Sequence, residues 1–211
     1  MVIKIKIVPI RPRDIEICVF LQKWRYATAG QLAKQFNLSK AGMSANLRKL
    51  CKGRYIKHEL ILHNYPGVYR CLTQGRELAD TGLAPVHKVN ERTMKHTLAI
   101  VEVAIHLENE GAELISEQEM RARKLYRDFV AKRKKRVHRP DIIAHFPENN
   151  TIAVEVELSR KNQNELHKIL KWYADQPQYS EIRYYVPTAA AIARIERHAA
   201  GFNGVKVFLL P

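Results

Sequence analysis

Two glutamates in a β-strand pattern are the first candidates for chemistry. Residues 152–158, IAVEVEL, are rich in β-branched apolar side chains and follow the turn-like segment 147–150, so they predict a strand. Because side chains alternate across a strand, Glu155 and Glu157 fall on the same face, opposite the apolar set. At an effective dielectric of about 20, carboxylates about 6–7 Å apart repel by roughly 2–3 kcal/mol. A cation that offsets this repulsion is therefore expected, unless the face is open to water.

A third carboxylate, Asp141, opens the preceding strand pattern, DIIAHF, which is expected to form a hairpin with the glutamate strand. Asp141, Glu155 and Glu157 would then meet at one edge of the sheet. Hard oxygen ligands beside a phosphate-binding surface suit Mg²⁺ or Mn²⁺. In this hypothesis Asp141 and Glu155 hold the metal, and Glu157 is a further ligand or a general base. The alternative is the solvent-facing side of an edge hairpin, where acids alternate with core residues.

The order of these acids resembles the motif of the PD-(D/E)XK nuclease superfamily. Pro140-Asp141 precedes Glu155-Val156-Glu157 within the predicted order helix–strand–strand–strand–helix–strand. The resemblance implies that Asp141 and Glu155 bind the metal, and that a Lys two positions later orients the attacking water. Glu157 stands in that third position, a departure also found in some restriction endonucleases of the superfamily. Lys161, four residues further on, is the candidate for the missing cation.

Charge and composition narrow the class of partner. The 211 residues carry a formal net charge of +15, which favours a polyanion, with nucleic acid first and an acidic membrane surface second. No apolar run approaches the ~20 residues that span a bilayer, so no membrane insertion is expected. The first residues alternate Ile and Lys, unlike a signal peptide. Three widely spaced cysteines, Cys18, Cys51 and Cys71, favour reduced thiols in a cytoplasmic protein.

The first half has the element order of a winged helix. A helix from Asp14, its expected N-cap, precedes a short helix capped by Thr28 and a second helix capped by Ser39. The last two predict a helix-turn-helix. Strand patterns at 55–62 and 68–72 follow and predict the hairpin of a wing. Because winged helices also serve as protein-binding modules, the expectation of DNA binding rests on the basic outer side of the second helix.

The residues expected to contact DNA are basic or polar and form three groups. The second helix would enter the major groove, and the wing and a basic segment would approach phosphates. The groups are Lys40, Ser44, Asn46, Arg48 and Lys49 on the helix, Lys57 and Arg70 on the wing, and Arg133, Lys134, Lys135 and Arg136 in the basic segment.

The second half alternates helices with buried strands. The patterns predict helices at 91–110, 162–175 and 189–200, and further strands at 113–116, 181–186 and 205–210. Gly82 and Pro85 mark the expected boundary. The prediction is therefore an α+β fold: a winged helix-turn-helix domain at 1–86 with a short basic N-terminal arm, then a restriction-endonuclease-like α/β core with a mixed sheet at 87–211.

Over nearly its full length the chain is similar to the replication-relaxation proteins and the related MobC-type relaxases of plasmids and integrative elements. The winged helix, HTL at 96–98, RPD at 139–141 and VEVELSRK at 154–161 carry this resemblance. It implies a protein that recognises a replication or transfer origin in double-stranded DNA and nicks or relaxes that DNA by metal-dependent cleavage. A homodimer and other mobilisation or replication proteins are further partners to consider.

Two alternatives to a relaxase stay open. The missing motif Lys favours a catalytically inactive origin-binding or regulatory protein that uses the nuclease-like fold for DNA contact or dimerisation. A type IV restriction enzyme fits less well, because those enzymes resemble an Asp…Gln-x-Lys pattern.

Overall fold

The structure, a computed structural model, describes residues 9–125, 138–147 and 150–211. Within these ranges the chain forms eight helices and eight strands, and the predicted α+β class with a mixed sheet is confirmed. The chain divides into two compact units, Met1–Val101 and Glu102–Pro211. The division falls inside a long helix, beyond the boundary that Gly82 and Pro85 suggest.

The first unit combines short helices with a small antiparallel sheet. Its strand order is β1–β3–β2. The elements are α1 (Pro12–Trp24), β1 (Ala27–Thr28), α2 (Ala29–Gln35), α3 (Lys40–Lys52), β2 (Ile56–Glu59), β3 (Val68–Cys71), α4 (Thr73–Ala79) and the first part of α5 (Glu91–Asn109).

Helix α1 begins earlier than sequence predicts, so Asp14 is not its N-cap. Arg11 is the N-cap, and Pro12 takes the first helical position, where a missing N–H costs nothing. Asp14 lies one turn inside, and its Oδ2 accepts a 2.7 Å hydrogen bond from the backbone N–H of Arg11. The same buried carboxylate pairs with Lys49. Asp14 therefore closes the start of α1 and also ties α1 to α3.

Helices α2 and α3 lie on either side of a short turn, in the order that the sequence predicts. The hydroxyl of Thr28 accepts a hydrogen bond from Gln31 N, and that of Ser39 accepts one from Gly42 N, so both predicted N-caps are confirmed. Asn37 in the turn has a φ of 48°, a left-handed conformation that Asn tolerates. The predicted inner side of α3 is buried: Met43, Leu47 and Leu50.

The second unit contains a five-stranded mixed sheet in the order β4–β5–β6–β7–β8. The strands β4, β5 and β6 pair antiparallel, and β6, β7 and β8 pair parallel. Its elements after α5 are β4 (Glu113–Ser116), α6 (Glu117–Ala122), β5 (Ile142–Phe146), β6 (Asn150–Val156), α7 (Gln163–Ala174), β7 (Glu181–Val186), α8 (Ala189–Ala199) and β8 (Val205–Leu209).

Helices cover both faces of this sheet. On one face Tyr173 of α7 and Ile195 of α8 share a buried cluster with Ala153, Ile182 and Tyr184 of the sheet. On the other face the ring of His106 of α5 meets the edge of Tyr185, with ring centroids 6.3 Å apart. The strand β6 is therefore enclosed in the middle of three layers.

The longest helix of the described ranges, α5, carries several charged side chains along its 19 residues. Nowhere in the described ranges does a helix combine the length and the apolar composition needed to cross a bilayer. The three cysteines are free thiols, with Cys18 and Cys71 buried and Cys51 half-buried.

Candidate carboxylate site and predicted DNA-contacting residues

The three predicted acids meet at the end of the central strands. Asp141 directly precedes β5, and its backbone N–H donates to Val154 O at 3.0 Å. Its Oδ2 accepts a 2.8 Å hydrogen bond from the N–H of Val156. Glu155 lies in β6, and Glu157 follows that strand, donating its N–H to Tyr185 O. Strand pairing thus places all three acids at one end of the β5–β6 hairpin.

The two glutamates are buried, whereas Asp141 is half-buried. Glu155 is 3% exposed and Glu157 is 5% exposed. The strand β6 is the third of five, flanked by β5 and β7, so its acid-bearing face is covered by α7 rather than by water. The alternative of a solvent-facing edge hairpin is therefore excluded, and each carboxylate needs partners within the fold.

One oxygen of Glu155 has two close partners that sequence did not single out. Oε1 lies 2.7 Å from Nε2 of His138 and accepts a 2.5 Å hydrogen bond from the Tyr173 hydroxyl. The His138 ring is itself held against the edges of Trp172 and Tyr173, with centroids 5.2 and 5.4 Å away. Glu155 is therefore held by the imidazole of His138, which precedes β5, and by the hydroxyl of Tyr173 in α7.

Lys161 lies beside Glu155 and Glu157, where a cation is expected to offset the repulsion between the two carboxylates. Its Nζ lies 2.7 Å from Oε2 of Glu157 and 3.9 Å from Oε2 of Glu155. The side chain is 25% exposed, so one side of this ion cluster reaches solvent. Lys161 thus bridges the two glutamates from the corner between β6 and α7.

These contacts set the protonation states. Burial by itself raises the pKa of the Glu155 carboxyl, but the hydrogen bond and charge of His138, with Lys161 and Tyr173, bring that pKa below its ordinary value. Burial by itself lowers the pKa of Lys161, but Glu155 and Glu157 raise it above its ordinary value. Carboxylate and ammonium are therefore both charged at neutral pH.

Tyr184 is a further residue of this site that sequence placed only in a strand. It pairs with Glu155 in the β6–β7 register, and its side chain is fully buried. Within the described ranges its hydroxyl has no hydrogen-bond partner. Burial, followed by the charges of Glu155, Glu157 and Asp141, raises its pKa well above the ordinary value. A neutral phenol with an unused donor therefore faces the acids.

The fit of a metal depends on the oxygen donors. Carboxylates of Asp141 and Glu155 have the chemistry that Mg²⁺ and Mn²⁺ prefer. Among described residues, no group of three or more His, Cys, Asp or Glu side chains is placed to hold a metal ion. Lys161 and His138 instead contact the carboxylates of Glu155 and Glu157. The carboxylate oxygens of Asp141 and Glu155 are of the kind that binds a divalent cation. Binding would require the Lys161 side chain to move away from Glu155.

In the first unit, α3 presents part of the predicted DNA-contacting set. Lys40, Ser44 and Arg48 are exposed, and Asn46 is half-buried. Lys49 is 23% exposed and pairs with Asp14, so it contributes to the fold.

The two predicted wing residues differ in accessibility. Lys57 is 54% exposed and lies 2.7 Å from Glu59. Arg70 is 9% exposed, and its guanidinium contacts both carboxylate oxygens of Glu59, at 2.9 and 3.2 Å, and Val86 O at 3.0 Å. The donors of Arg70 therefore join β3 to β2 and to the segment around Val86, and its contact with DNA stays a prediction. The predicted Arg133, Lys134, Lys135 and Arg136 lie outside the described residues.

Comparisons with known proteins add little to this geometry. No protein-family model matches the chain, and no curated protein matches it. Among solved structures, a double mutant of Lactococcus lactis ZitR in its apo form is similar with a TM-score of 0.29 and 14% sequence identity. The match covers 59% of this chain and 83% of that chain. A TM-score this low carries no argument about fold or function.

Proposed function

We propose that this protein binds double-stranded DNA through its first unit and nicks or relaxes DNA through metal-dependent phosphodiester cleavage in its second unit. The first unit would act as a winged helix and the second as a PD-(D/E)XK nuclease-like core. We also propose that this protein is related to the replication-relaxation proteins and the MobC-type relaxases of mobile elements. Its two units would then act at a replication or transfer origin.

The observation that carries the proposal is the position of Lys161 among Asp141, Glu155 and Glu157. The motif position that a nuclease Lys normally fills holds Glu157. Lys161 brings an ammonium group to the same acids from four residues further on, 2.7 Å from Glu157 and 3.9 Å from Glu155. The cation that the sequence motif lacks is therefore supplied from the next corner of the chain.

Each residue of the carboxylate site has its own role in the proposed phosphodiester cleavage. Asp141 and Glu155 would hold a divalent cation, which when bound neutralises phosphate charge and lowers the pKa of its bound water. Lys161 carries three N–H donors that can orient a water molecule or a phosphate oxygen. Glu157, next to Lys161, accepts the proton of that water. The Tyr184 hydroxyl, which has no hydrogen-bond partner among described residues, is a further hydrogen-bond donor beside these acids.

Support for DNA binding comes from the first unit and from net charge. The order α1–β1–α2–α3–β2–β3 is that of a winged helix, in which α3 would enter the major groove. Lys40, Ser44 and Arg48 are exposed on α3. A net charge of +15 favours phosphate contact along a duplex.

The test measures conversion of supercoiled plasmid to open circles in millimolar Mn²⁺, together with the Mn²⁺-dependent shift in melting temperature. Wild-type protein should nick the plasmid, EDTA should abolish nicking, and Asp141→Asn should abolish both nicking and the thermal shift. Lys168→Ala, an exposed lysine on α7, serves as the control and should behave like wild type. Equal nicking by Asp141→Asn and wild type would end the proposal.

A second candidate is a DNA-binding protein whose nuclease-like unit is catalytically inactive. The observation in its favour is the closed network around Glu155, which is 3% exposed and already bonded to His138 and Tyr173. Such a network is also a way to stabilise a fold. DNA binding without nicking and without any Mn²⁺-dependent thermal shift would select this candidate.

A further inference from the structure

A basic pocket lies at the start of β5, outside the carboxylate site. It has a volume of about 260 Å³ and is lined by Arg121, Lys124, Leu125 and Arg139. Glu117 pairs with Arg121, with Nη2 of the arginine 2.5 Å from Oε1 of the glutamate. Three cations and one paired acid leave two net positive charges among the described residues around the pocket. Its charge therefore matches an anion that carries about two negative charges.

Lys124 reaches this pocket from a backbone conformation that side chains rarely adopt. Its φ is 56°, and it directly follows the C-cap of α6. Lys124 N donates to Arg121 O, and Leu125 N donates to Met120 O, which is the Schellman pattern that ends many helices. Glycine is the usual residue at this position because it lacks a Cβ. Lys124 therefore lines the pocket despite the backbone cost of its conformation.

Arg139 supplies a donor that the fold leaves unused. Its Nε is buried and has no hydrogen-bond partner in the described part of the chain. A buried N–H donor without an acceptor is unfavourable, so an anion in the pocket would satisfy it. The guanidinium also suits phosphate oxygens, which it can bind through two parallel hydrogen bonds.

The pocket and the carboxylate site are neighbours in the same unit. Arg139 is two residues before Asp141, a separation of at most about 7 Å along an extended backbone. Ser116, which ends β4 just before α6, pairs with Ile142 beside Asp141. Leu125 of the pocket and Tyr173 of the carboxylate site pack on one core cluster. A nucleic-acid strand that is bound at one of these two sites would therefore pass close to the other.

We infer that the basic pocket binds a terminal phosphate, a phosphomonoester at the end of a nucleic-acid strand. A terminal phosphate carries a charge of about −1.5 to −2 at neutral pH, whereas each internal phosphodiester carries one negative charge. The two net positive charges counted among the described residues around the pocket fit the terminal group better. This inference rests on the proposed function for its biological meaning, since a cleaved phosphodiester leaves a phosphate on one of the two new ends.

The test compares short single strands of one sequence that carry a 5′-phosphate, a 3′-phosphate or no terminal phosphate. Binding to the full-length protein is measured by fluorescence anisotropy at constant ionic strength in EDTA, so that no strand is cleaved. One of the two phosphorylated strands should bind about tenfold more tightly than the unphosphorylated strand, since hydrogen bonds to charged groups contribute this much or more. Lys124→Gly and Arg139→Gln should each lose most of that gain.

Matched controls separate the pocket from general charge. Lys168→Ala and Arg197→Gln remove exposed charges from α7 and α8 and should keep the gain. Equal binding of all three strands, or a full gain in Lys124→Gly, overturns the inference. If the wild-type protein does not nick the plasmid but still binds a phosphorylated strand more tightly than the unphosphorylated one, that result contradicts only the proposed function.

Discussion

The Tyr173 hydroxyl donates a 2.5 Å hydrogen bond to Oε1 of Glu155, so a residue of α7 fixes the central carboxylate of β6. The same oxygen lies 2.7 Å from His138. A buried carboxylate is stable only when donors replace the water it has lost. The geometry of the candidate site therefore depends on how α7 packs as much as on the strands that carry the acids.

Two tyrosine substitutions should differ in their effects on stability. Tyr173→Phe removes a donor from a buried charge and should cost about 1.5–3 kcal/mol in the free energy of unfolding. Tyr184→Phe is the matched control, because its hydroxyl has no partner in the described ranges, and it should be neutral or stabilising. Urea unfolding at neutral pH measures both. Equal losses would show that Tyr184 has a partner of comparable strength.

Glu155 should make stability depend on pH in the acid range. Its pKa in the folded protein lies below its ordinary value of about 4.5, so its contribution is complete above that pH. The contribution is lost as the pH falls through the folded-state pKa, at up to about 1.4 kcal/mol per pH unit. Urea unfolding from about pH 6 to about pH 3 should show a steeper fall for wild type than for Glu155→Gln. Parallel curves would contradict this assignment.

Removal of Lys161 should destabilise the fold and sensitise it to divalent cations. Lys161→Met removes the close cation from Glu157 and leaves Glu155 with His138 and Tyr173. The cost should be near the lower end of about 3–5 kcal/mol, because Lys161 is 25% exposed. If the acids accept a metal, millimolar Mn²⁺ should raise the melting temperature of this variant more than that of wild type. Lys168→Met is the control at an exposed position of α7. A Mn²⁺ response equal to that of wild type counts against metal binding at these acids.

Lys124→Gly should stabilise the protein. Its left-handed backbone, with a φ of 56°, costs a non-glycine residue about 1–2 kcal/mol. Glycine recovers about 1 kcal/mol after its own entropy loss, or about 2–4 °C in melting temperature. Arg123→Gly is the contrast, because Arg123 has a right-handed φ of −76° and should lose stability on substitution. A lower melting temperature for Lys124→Gly would mean that its side chain stabilises the fold.

The salt dependence of DNA binding should separate accessible from structural cations. Lys40→Ala and Arg48→Ala should each weaken duplex binding and reduce the slope of log K against log salt by about one. Arg70→Met should lower stability instead, because Arg70 bonds Glu59 and Val86. Anisotropy titrations at several salt concentrations measure the slopes. An unchanged slope in both α3 variants would remove this helix from the DNA interface.

Local patterns in the sequence were sufficient for most of the second unit. The predicted strand at 113–116 and the strand at 181–186 match β4 and β7 residue for residue, because β-branched runs and turn residues are local signals. Helix α6 was missed although Ser116 and Glu119 form a capping box, a signal visible in the sequence.

The environment of the site could not be predicted in the same way. The burial of Glu155 follows from the parallel pairing of β6 with β7, which no local pattern specifies. Its partners are His138, in the segment before β5, and Tyr173 of α7, and they meet only through tertiary packing. Arg70 was assigned to DNA by its charge, whereas its burial depends on Glu59 across the wing.

The central position of β6 also has a consequence for the time at which the site forms during synthesis. The acids, Lys161, Tyr173 and Tyr184 become neighbours only after α7 and β7 have left the ribosome and the parallel crossover has closed. Parallel pairing across a crossover is a slow, non-local step of folding. Under the proposed function, a nascent chain that already exposes α3 would bind DNA before its carboxylate site has formed, so that DNA binding would precede cleavage activity.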